Sequence, residues 1–320
     1  MRVGQGHQSV DASDADMLTK CPACGSEALR PYLSGEDYHY GNEGIFQLNR
    51  CDTCHLWMLA PMRTPQALSA FYPTSYYSFQ PRLSETSSKT AVRKLLGLER
   101  RTYLPAFNVP GRLLDVGSGA GQYLQQLSNR GWTVTGIEPS HQAAAVGRQA
   151  GLDIRLGDIR TVDLPPKSFD VVRFNHSIEH VPDPVAALKA AHALLKDDGY
   201  LIVGVPNTDG LWPRMFGRWW WHLGLPVHVY GFNPGNLRRL LENTGFTVLR
   251  IRYNSEFSGL LGSAQIWLNR NKRPRRSTGR VFASRILRVP TMRFLKVLDL
   301  CGLGDCIEAV ARPATLHHSH

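Results

Sequence analysis

The stretch LLDVGSGAGQYL, residues 113–124, decides how this chain is read. Leu113, Leu114, Asp115 and Val116 make a short, mostly apolar run of the strand type. Gly117, Gly119 and Gly121 then force a tight turn, and Tyr123 and Leu124 open a helical pattern. Glycine tolerates positive φ and lets a ligand approach the backbone. The first turn of the following helix adds unpaired N–H groups. Outward from this point the pattern predicts strands at 133–137, 154–156, 169–174, 200–205 and 246–253. It predicts helices at 123–130, 142–150, 183–195 and 233–245, each closed by or near a glycine. Strands alternating with helices through short links imply a parallel sheet covered on both faces, a doubly wound, Rossmann-like α/β fold.

In such a sheet, ligands bind beyond the carboxyl ends of the strands. Acidic residues stand at those ends. Asp115 precedes the glycine turn, Glu138 lies 17 residues past Gly121, and Asp158 lies 20 past Glu138. Glu138 can accept two hydrogen bonds from a ribose diol, and Asp158 can accept from an exocyclic amine. A glycine turn alone is also an ordinary strand–helix connection. The spacing is Gly-x-Gly-x-Gly, whereas the dinucleotide fingerprint would need glycine where Gln122 stands, which argues against NAD.

Taken in order, LLDVGSGAGQYL, GIEPS (136–140), LGDI (156–159) and FDVVRFNHSIEHVPDP (169–184) resemble the successive motifs of class I SAM-dependent methyltransferases. The resemblance spans residues 111–248. It implies that Asp115, Gly117, Gly119 and Gly121 hold the methionine end of SAM, and that Glu138 binds the ribose hydroxyls. Asp158 and Ile159 would flank the adenine, and Asn175 and His176 would line the pocket floor beside the sulfonium. Methyl transfer needs an acceptor aligned with the methyl group and a base for its proton. His180 and Glu179 are the first candidates. In similar enzymes a Glu-His pair here is often near the acceptor, although His180 could instead only bond a loop and cap the helix at Asp183-Pro184. His228, in LPVHVYGFNP (225–234), resembles the His-x-x-x-Phe segment over the acceptor pocket and is the second candidate base.

Cys21-Pro-Ala-Cys24 and Cys51-Asp-Thr-Cys54 are two Cys-x-x-Cys knuckles with 26 residues between them. Four thiolates so paired can surround a structural Zn²⁺, and the long gap leaves room for a hairpin at 38–48. His55 is a spare donor. CPACG (21–25), RCDTCHLWMLAPM (50–62) and PTSYYSF (73–79) followed by the methyltransferase motifs resemble a bacterial subset with an N-terminal four-cysteine module. Its members methylate oxygen or carbon in sugar, polysaccharide and natural-product pathways. The resemblance implies a sugar-like, glycan or other small pathway acceptor.

The 320 residues divide into a polar stretch (1–18), the cysteine module (19–62), a helical connector (63–109), the core (110–256) and a basic C-terminal segment (257–320). Hydrophobic residues make up 42% and charged residues 20%, as in an ordinary globular chain. No run is long enough to span a bilayer and the N-terminus lacks an apolar signal region, so a cytoplasmic location is expected. The net charge of +11 is local, because residues 257–298 hold ten basic residues and no acid. Pro290 is expected to split this segment into two helices. The segment would either pack on the core with a solvated basic face, or hold the protein peripherally on an anionic membrane through residues 257–300. Four tryptophans at 212, 219, 220 and 221 suggest a substrate lid, with core packing or a belt at lipid headgroups as the alternatives. Two other functions stay open. One is a zinc-ribbon RNA methyltransferase, disfavoured because the cysteine module is nearly neutral. The other is a SAM-fold binding protein without catalysis.

Overall fold

A computed structural model describes residues 15–16, 18–73, 104, 107, 109–272, 277 and 279–314. Tyr76, Tyr77, Phe79, Arg273, Arg275 and Arg276, singled out from the sequence, lie outside the described residues.

The cysteine module is an antiparallel meander of β2 (Leu29–Gly35), β3 (Phe46–Cys51) and β4 (Trp57–Ala60). A short pair of β1 (Ala15–Asp16) and β5 (Met62–Arg63) lies beside it. The hairpin therefore runs over Leu29–Cys51, wider than the expected 38–48, and residues 36–45 form its connection. There Asp37 accepts from the backbone N–H groups of His39, Tyr40 and Asn42, an arrangement that holds a turn where a strand was expected. Helix α1 (Pro65–Ser69) follows, capped by the Thr64 hydroxyl, as Thr64-Pro65 predicts.

The core is a seven-stranded sheet of β6 (Arg112–Val116), β7 (Thr133–Glu138), β8 (Asp153–Leu156), β9 (Phe169–Asn175), β10 (Leu195–Pro206), β12 (Phe246–Tyr253) and β13 (Cys306–Pro313). Its order is β12-β13-β10-β9-β6-β7-β8. The pairs β10/β9, β9/β6, β6/β7 and β7/β8 are parallel, and β13 runs antiparallel between β10 and β12. The central parallel strands β6, β9 and β10 are largely buried on both faces, which explains their mostly apolar runs, whereas the edge strand β8 alternates. Helices α2 (Gln122–Ser128) and α3 (His141–Gln149) bury Leu124, Leu127 and Ala144 against one face. Helices α4 (Pro184–Leu194) and α6 (Pro234–Asn243) bury Leu188, Leu237, Leu240 and Leu241 against the other. Between β10 and α6 lie α5 (Leu211–Phe216) and two short turns.

Strand β13 comes from beyond residue 256, inside the segment the sequence sets apart. Its apolar run is broken by Glu308, whose charge is answered by Arg252 on β12 at 2.6 Å. Helices α7 (Phe257–Leu268), α8 (Arg280–Ala283) and α9 (Arg285–Leu300) precede it. Pro290 does not split α9, contrary to expectation. A proline inside a helix costs about 3 kcal/mol, but the turns beyond it anchor Leu295 and Leu298 in the core. Among the described residues no helix is long and apolar enough to cross a membrane.

The small sheet takes its fourth strand from the core: β11 (Tyr230–Gly231) pairs antiparallel with β4. Asn236 and Asn243 of α6 donate to the carbonyls of Cys54 and Ala23. One apolar cluster runs from Cys21 and Met58 through Val229 to Phe174 and Leu240, so the module and the core share their packing.

Candidate active site

At the carboxyl end of β6 the glycine turn is built as its sequence requires. Gly117, Gly119 and Gly121 all have positive φ, at 78°, 56° and 77°. A Cβ on Gly117 would stand 2.5 Å from Cβ of Ser177, which puts the turn directly against the segment that follows β9. Gly117 and Ser118 both donate to the Ile137 carbonyl, at 2.8 and 3.1 Å. Glu138, at the end of β7, is 5% exposed and accepts from the N–H of Gly119 at 2.8 Å and of Ser140 at 2.9 Å. Burial raises its carboxyl pKa, while the two backbone donors oppose that rise. Each of its oxygens keeps a second lone pair, so a diol can still be received.

Asp115 is committed differently. It is 3% exposed and forms a buried ion pair with Arg173 of β9 at 2.9 Å, and the same guanidinium lies 4.0 Å over the Tyr123 ring. Sequence reasoning passed over Arg173, although an arginine inside the apolar run VVRF was a signal for a buried partner. Asp158 accepts from Arg160 through both oxygens, at 2.7 and 2.9 Å. Burial works against its charge, but Arg160 holds its pKa below the usual value. Ile159 beside it is buried. Asn175 ends β9, and its side-chain oxygen would stand 3.0 Å from a Cβ on Gly204.

Past β9 the chain gathers titratable groups. His176 has a φ of 52° and donates its N–H to the Gly204 carbonyl at 2.8 Å. Its ring reaches Glu179 at 3.4 Å and Glu256 at 3.7 Å. Glu179 is fully buried, and neither carboxylate oxygen has a hydrogen-bond partner among the described residues. Donor atoms of Glu179, His180 and His228 lie within 4.8 Å of one another, and the two rings meet edge to face at 4.6 Å. His180 Nδ1 contacts the Val227 carbonyl at 3.0 Å and the Tyr72 hydroxyl at 2.8 Å. His228 Nδ1 contacts the His222 carbonyl at 2.9 Å. A carbonyl only accepts, so both rings carry their proton on Nδ1 and leave the Nε2 lone pair free. Burial pushes His180 down to about 4 and His228 down to about 3, so both are neutral at physiological pH. His180 thus bonds a loop, while the cap of α4 is made by Asp183, which accepts from Ala186 N–H.

The cysteine module brings its four thiols together. Cys21 and Cys54 stand 3.5 Å apart, as do Cys24 and Cys51, and all four sulfurs lie within 4.8 Å of one another. A tetrahedral ion with metal–sulfur bonds of about 2.3 Å needs sulfurs about 3.8 Å apart, so the donors fit Zn²⁺. The knuckles match: Gly25 and His55 each take a left-handed φ and donate to the carbonyl of the first cysteine, Cys21 and Cys51. His55 therefore shapes the turn and is outside the sulfur cluster. The module also reaches the histidines. Leu59 of β4 donates to the Val229 carbonyl, and Val229 donates to the Glu179 carbonyl, both at 2.8 Å.

Trp212, Trp220 and Trp221 pack rather than cover. Trp212 and Trp220 are buried with no acceptor for their indole N–H among the described residues. Trp220 meets Trp57 of the module edge to face at 6.3 Å, and Trp221 stacks on Phe282 at 4.6 Å. The segment joins module, core and C-terminal helices, so the lid expectation gives way to the packing alternative. The same segment delivers His222, which the sequence reading missed together with Asp305, Cys306 and Glu256.

Comparisons with known proteins bear on the family of the core. The family model described as "Methyltransferase domain" matches residues 89–251, just over half of the chain. A ubiquinone biosynthesis O-methyltransferase of Pseudomonas syringae pv. tomato is 34% identical over 110 residues, 32% of this chain and 47% of its own. One of Paramagnetospirillum magneticum is 35% identical over 148 residues, 42% of this chain and 59% of its own. The chain spans about half the length of the curated relatives it matches. Among solved structures, a SAM-dependent methyltransferase of Thermotoga maritima aligns with 71% of this chain and 88% of its own, at 22% identity and a TM-score of 0.45. On the family match, and on the sheet and glycine turn described above, the chain belongs to the methyltransferase-domain family.

Proposed function

We propose that this protein is a SAM-dependent methyltransferase acting on a hydroxyl group of a small metabolite. The observation that carries the reading is the contact between the glycine turn and the segment after β9. Gly117 lies against Ser177, two residues before the buried Glu179 and three before the neutral His180. SAM, where bound, supplies an electrophilic methyl group on a sulfonium. Around it, Glu138 and the turn receive the ribose and the methionine end, with Asp158 and Ile159 beside the adenine. Asp115 acts through Arg173 and supports the turn from beneath. His180, with its Nε2 lone pair free, takes the acceptor's proton; His228 is the neighbouring alternative, and Glu179 stabilises the imidazolium so formed. Asn175 and His176 line the floor.

The relatives' names speak of ubiquinone biosynthesis rather than of a glycan, so an aromatic hydroxyl acceptor stands beside the sugar-like one. In this reading the four-cysteine module would hold a structural zinc, and its close-set sulfurs support membership of the zinc-ribbon subset. Through Leu59, Val229 and Glu179 it buttresses the acceptor side. The test uses methyl-labelled SAM with two acceptor panels, aromatic diols and nucleotide sugars. Label in a base-stable ether is expected. Glu179→Ala and His180→Ala should keep the affinity for the demethylated product and lower turnover tenfold or more. Unchanged turnover in both would refute the base assignment.

We also propose peripheral contact with an anionic membrane. On α9, Ile286 and Leu300 are 86% and 89% exposed, and Phe294 and Val297 are half-exposed on the same side, with Arg293 and Lys296 nearby. Each such cation contributes about 1 kcal/mol near an anionic surface, and the apolar side chains supply the inserting face.

A further inference from the structure

Beside the cluster assigned above lies a second group of side chains of metal-ligating type that no role has used. Cys306 opens β13, Asp305 immediately precedes it, and His222 comes from the short turn at Trp221–Leu223. All three are buried, Asp305 completely. His222 Nε2 stands 3.6 Å from Asp305 Oδ2 and 3.8 Å from Cys306 Sγ, and the three donor atoms lie within 4.8 Å of one another.

Hydrogen bonding alone serves Asp305 poorly. An imidazole nitrogen has a single in-plane site, so Nε2 can engage the carboxylate or the sulfur but not both. Both Asp305 oxygens lack a hydrogen-bond partner among the described residues. A buried carboxylate without a partner costs several kcal/mol. Its backbone is fixed, with the N–H on Ser255 Oγ at 3.0 Å and the carbonyl accepting from Asn207 at 2.8 Å.

A cation at the centre of the three would give the Asp305 carboxylate the partner it lacks among the described residues. For a tetrahedral ion with bonds of about 2.0–2.3 Å, neighbouring donors stand about 3.3–3.7 Å apart. The observed 3.6 and 3.8 Å are close to that spacing before any adjustment. A sulfur, an imidazole nitrogen and a carboxylate oxygen form a donor set of intermediate softness, which selects Zn²⁺ over Mg²⁺ or Ca²⁺. We propose that His222, Asp305 and Cys306 form a second metal centre for a divalent transition ion of the zinc type, separate from the four-cysteine site. Three protein ligands leave a fourth position open, the pattern of a catalytic rather than a structural zinc. His176 and Glu256 flank it: their donor atoms and Cys306 Sγ also lie within 4.8 Å of one another. His176 immediately follows β9, so the open position borders the acceptor side of the candidate active site and would take a water or a hydroxyl oxygen. This inference stands whether or not the chain transfers methyl groups.

The test is metal stoichiometry by plasma mass spectrometry on full-length protein grown with zinc and passed over a chelating resin. His317, His318 and His320 are first replaced by serine so that the tail binds nothing. Two zinc ions per chain are expected, falling to one in His222→Ala and in Cys306→Ser. Asp305→Asn, which keeps the shape of the side chain, should release the second ion to a competing chromophoric chelator at least tenfold faster. Cobalt replacement gives an independent reading: the part of the visible spectrum due to a single-thiolate site should vanish in Cys306→Ser while the four-thiolate absorption stays. One zinc per chain in the parent protein overturns the proposal, as do two ions that survive all three substitutions.

Discussion

Replacing Glu138 by glutamine tests how the cofactor pocket is held. The carboxylate ties the glycine turn to β7 by accepting from Gly119 N–H at 2.8 Å and Ser140 N–H at 2.9 Å. Glutamine has the same length but exchanges one acceptor oxygen for an NH₂ group, so one of these backbone donors then faces another donor. Hydrogen bonds to a charged acceptor contribute about 1.5–3 kcal/mol, and the site is 5% exposed, so water does not replace the lost one. The turn relaxes, and restoring it lowers ligand affinity by the same amount. At 1.4 kcal/mol per factor of ten, the dissociation constant for SAM rises roughly 10- to 150-fold. Calorimetric titration with SAM and its demethylated product measures this. Thermal unfolding should show a parallel loss of a few degrees. Affinity within twofold of the parent, with an unchanged unfolding midpoint, would refute both the ribose assignment and the role of the carboxylate in the turn.

Burial depresses His180 to about 4 and His228 to about 3, below the value of about 6.5 in an unfolded chain. The unfolded chain therefore binds protons first as pH falls. The stabilisation is complete above pH of about 6.5 and is lost progressively as pH drops toward 4. Unfolding midpoints between these limits should fall less steeply in His180→Gln and His228→Gln, and equal slopes would contradict the burial argument. Cys21→Ser should lose the zinc of the four-cysteine site and most of the yield of folded protein, since β4 and the Val229 contact depend on it. A zinc-free parent protein with native unfolding behaviour would refute the structural role. Vesicles containing anionic lipid should sediment the protein, neutral vesicles should not, and Ile286→Glu with Leu300→Glu should abolish the effect. Sedimentation that ignores the lipid charge would reject the membrane contact.

Local chemistry made the turn and the strand and helix ends of the candidate site legible. The glycine turn, Glu138 at the end of β7 and Asp183-Pro184 at the start of α4 each announce themselves within a few residues. Four cysteines in two knuckles were equally plain. What stayed hidden depends on residues far apart in the chain. The buried pairing of Asp115 with Arg173, 58 residues on, is one such contact. Strand β13 is masked by Glu308, whose buried charge makes sense only beside Arg252. Pro290 looks like a breaker because the packing of Leu295 and Leu298 beyond it is invisible in the sequence. The tryptophan segment reads as a lid because Trp57 and Phe282, which pack against it, come from opposite ends of the chain. The meeting of His222 with Asp305 and Cys306 could not be inferred from spacing at all.

The most direct measurement is calorimetric titration of SAM and of its demethylated product into full-length protein of known metal content. The account predicts one-to-one binding of both, in the micromolar range, weakened by Glu138→Gln. Absence of binding by either compound, in protein that is folded and holds its zinc, would contradict it.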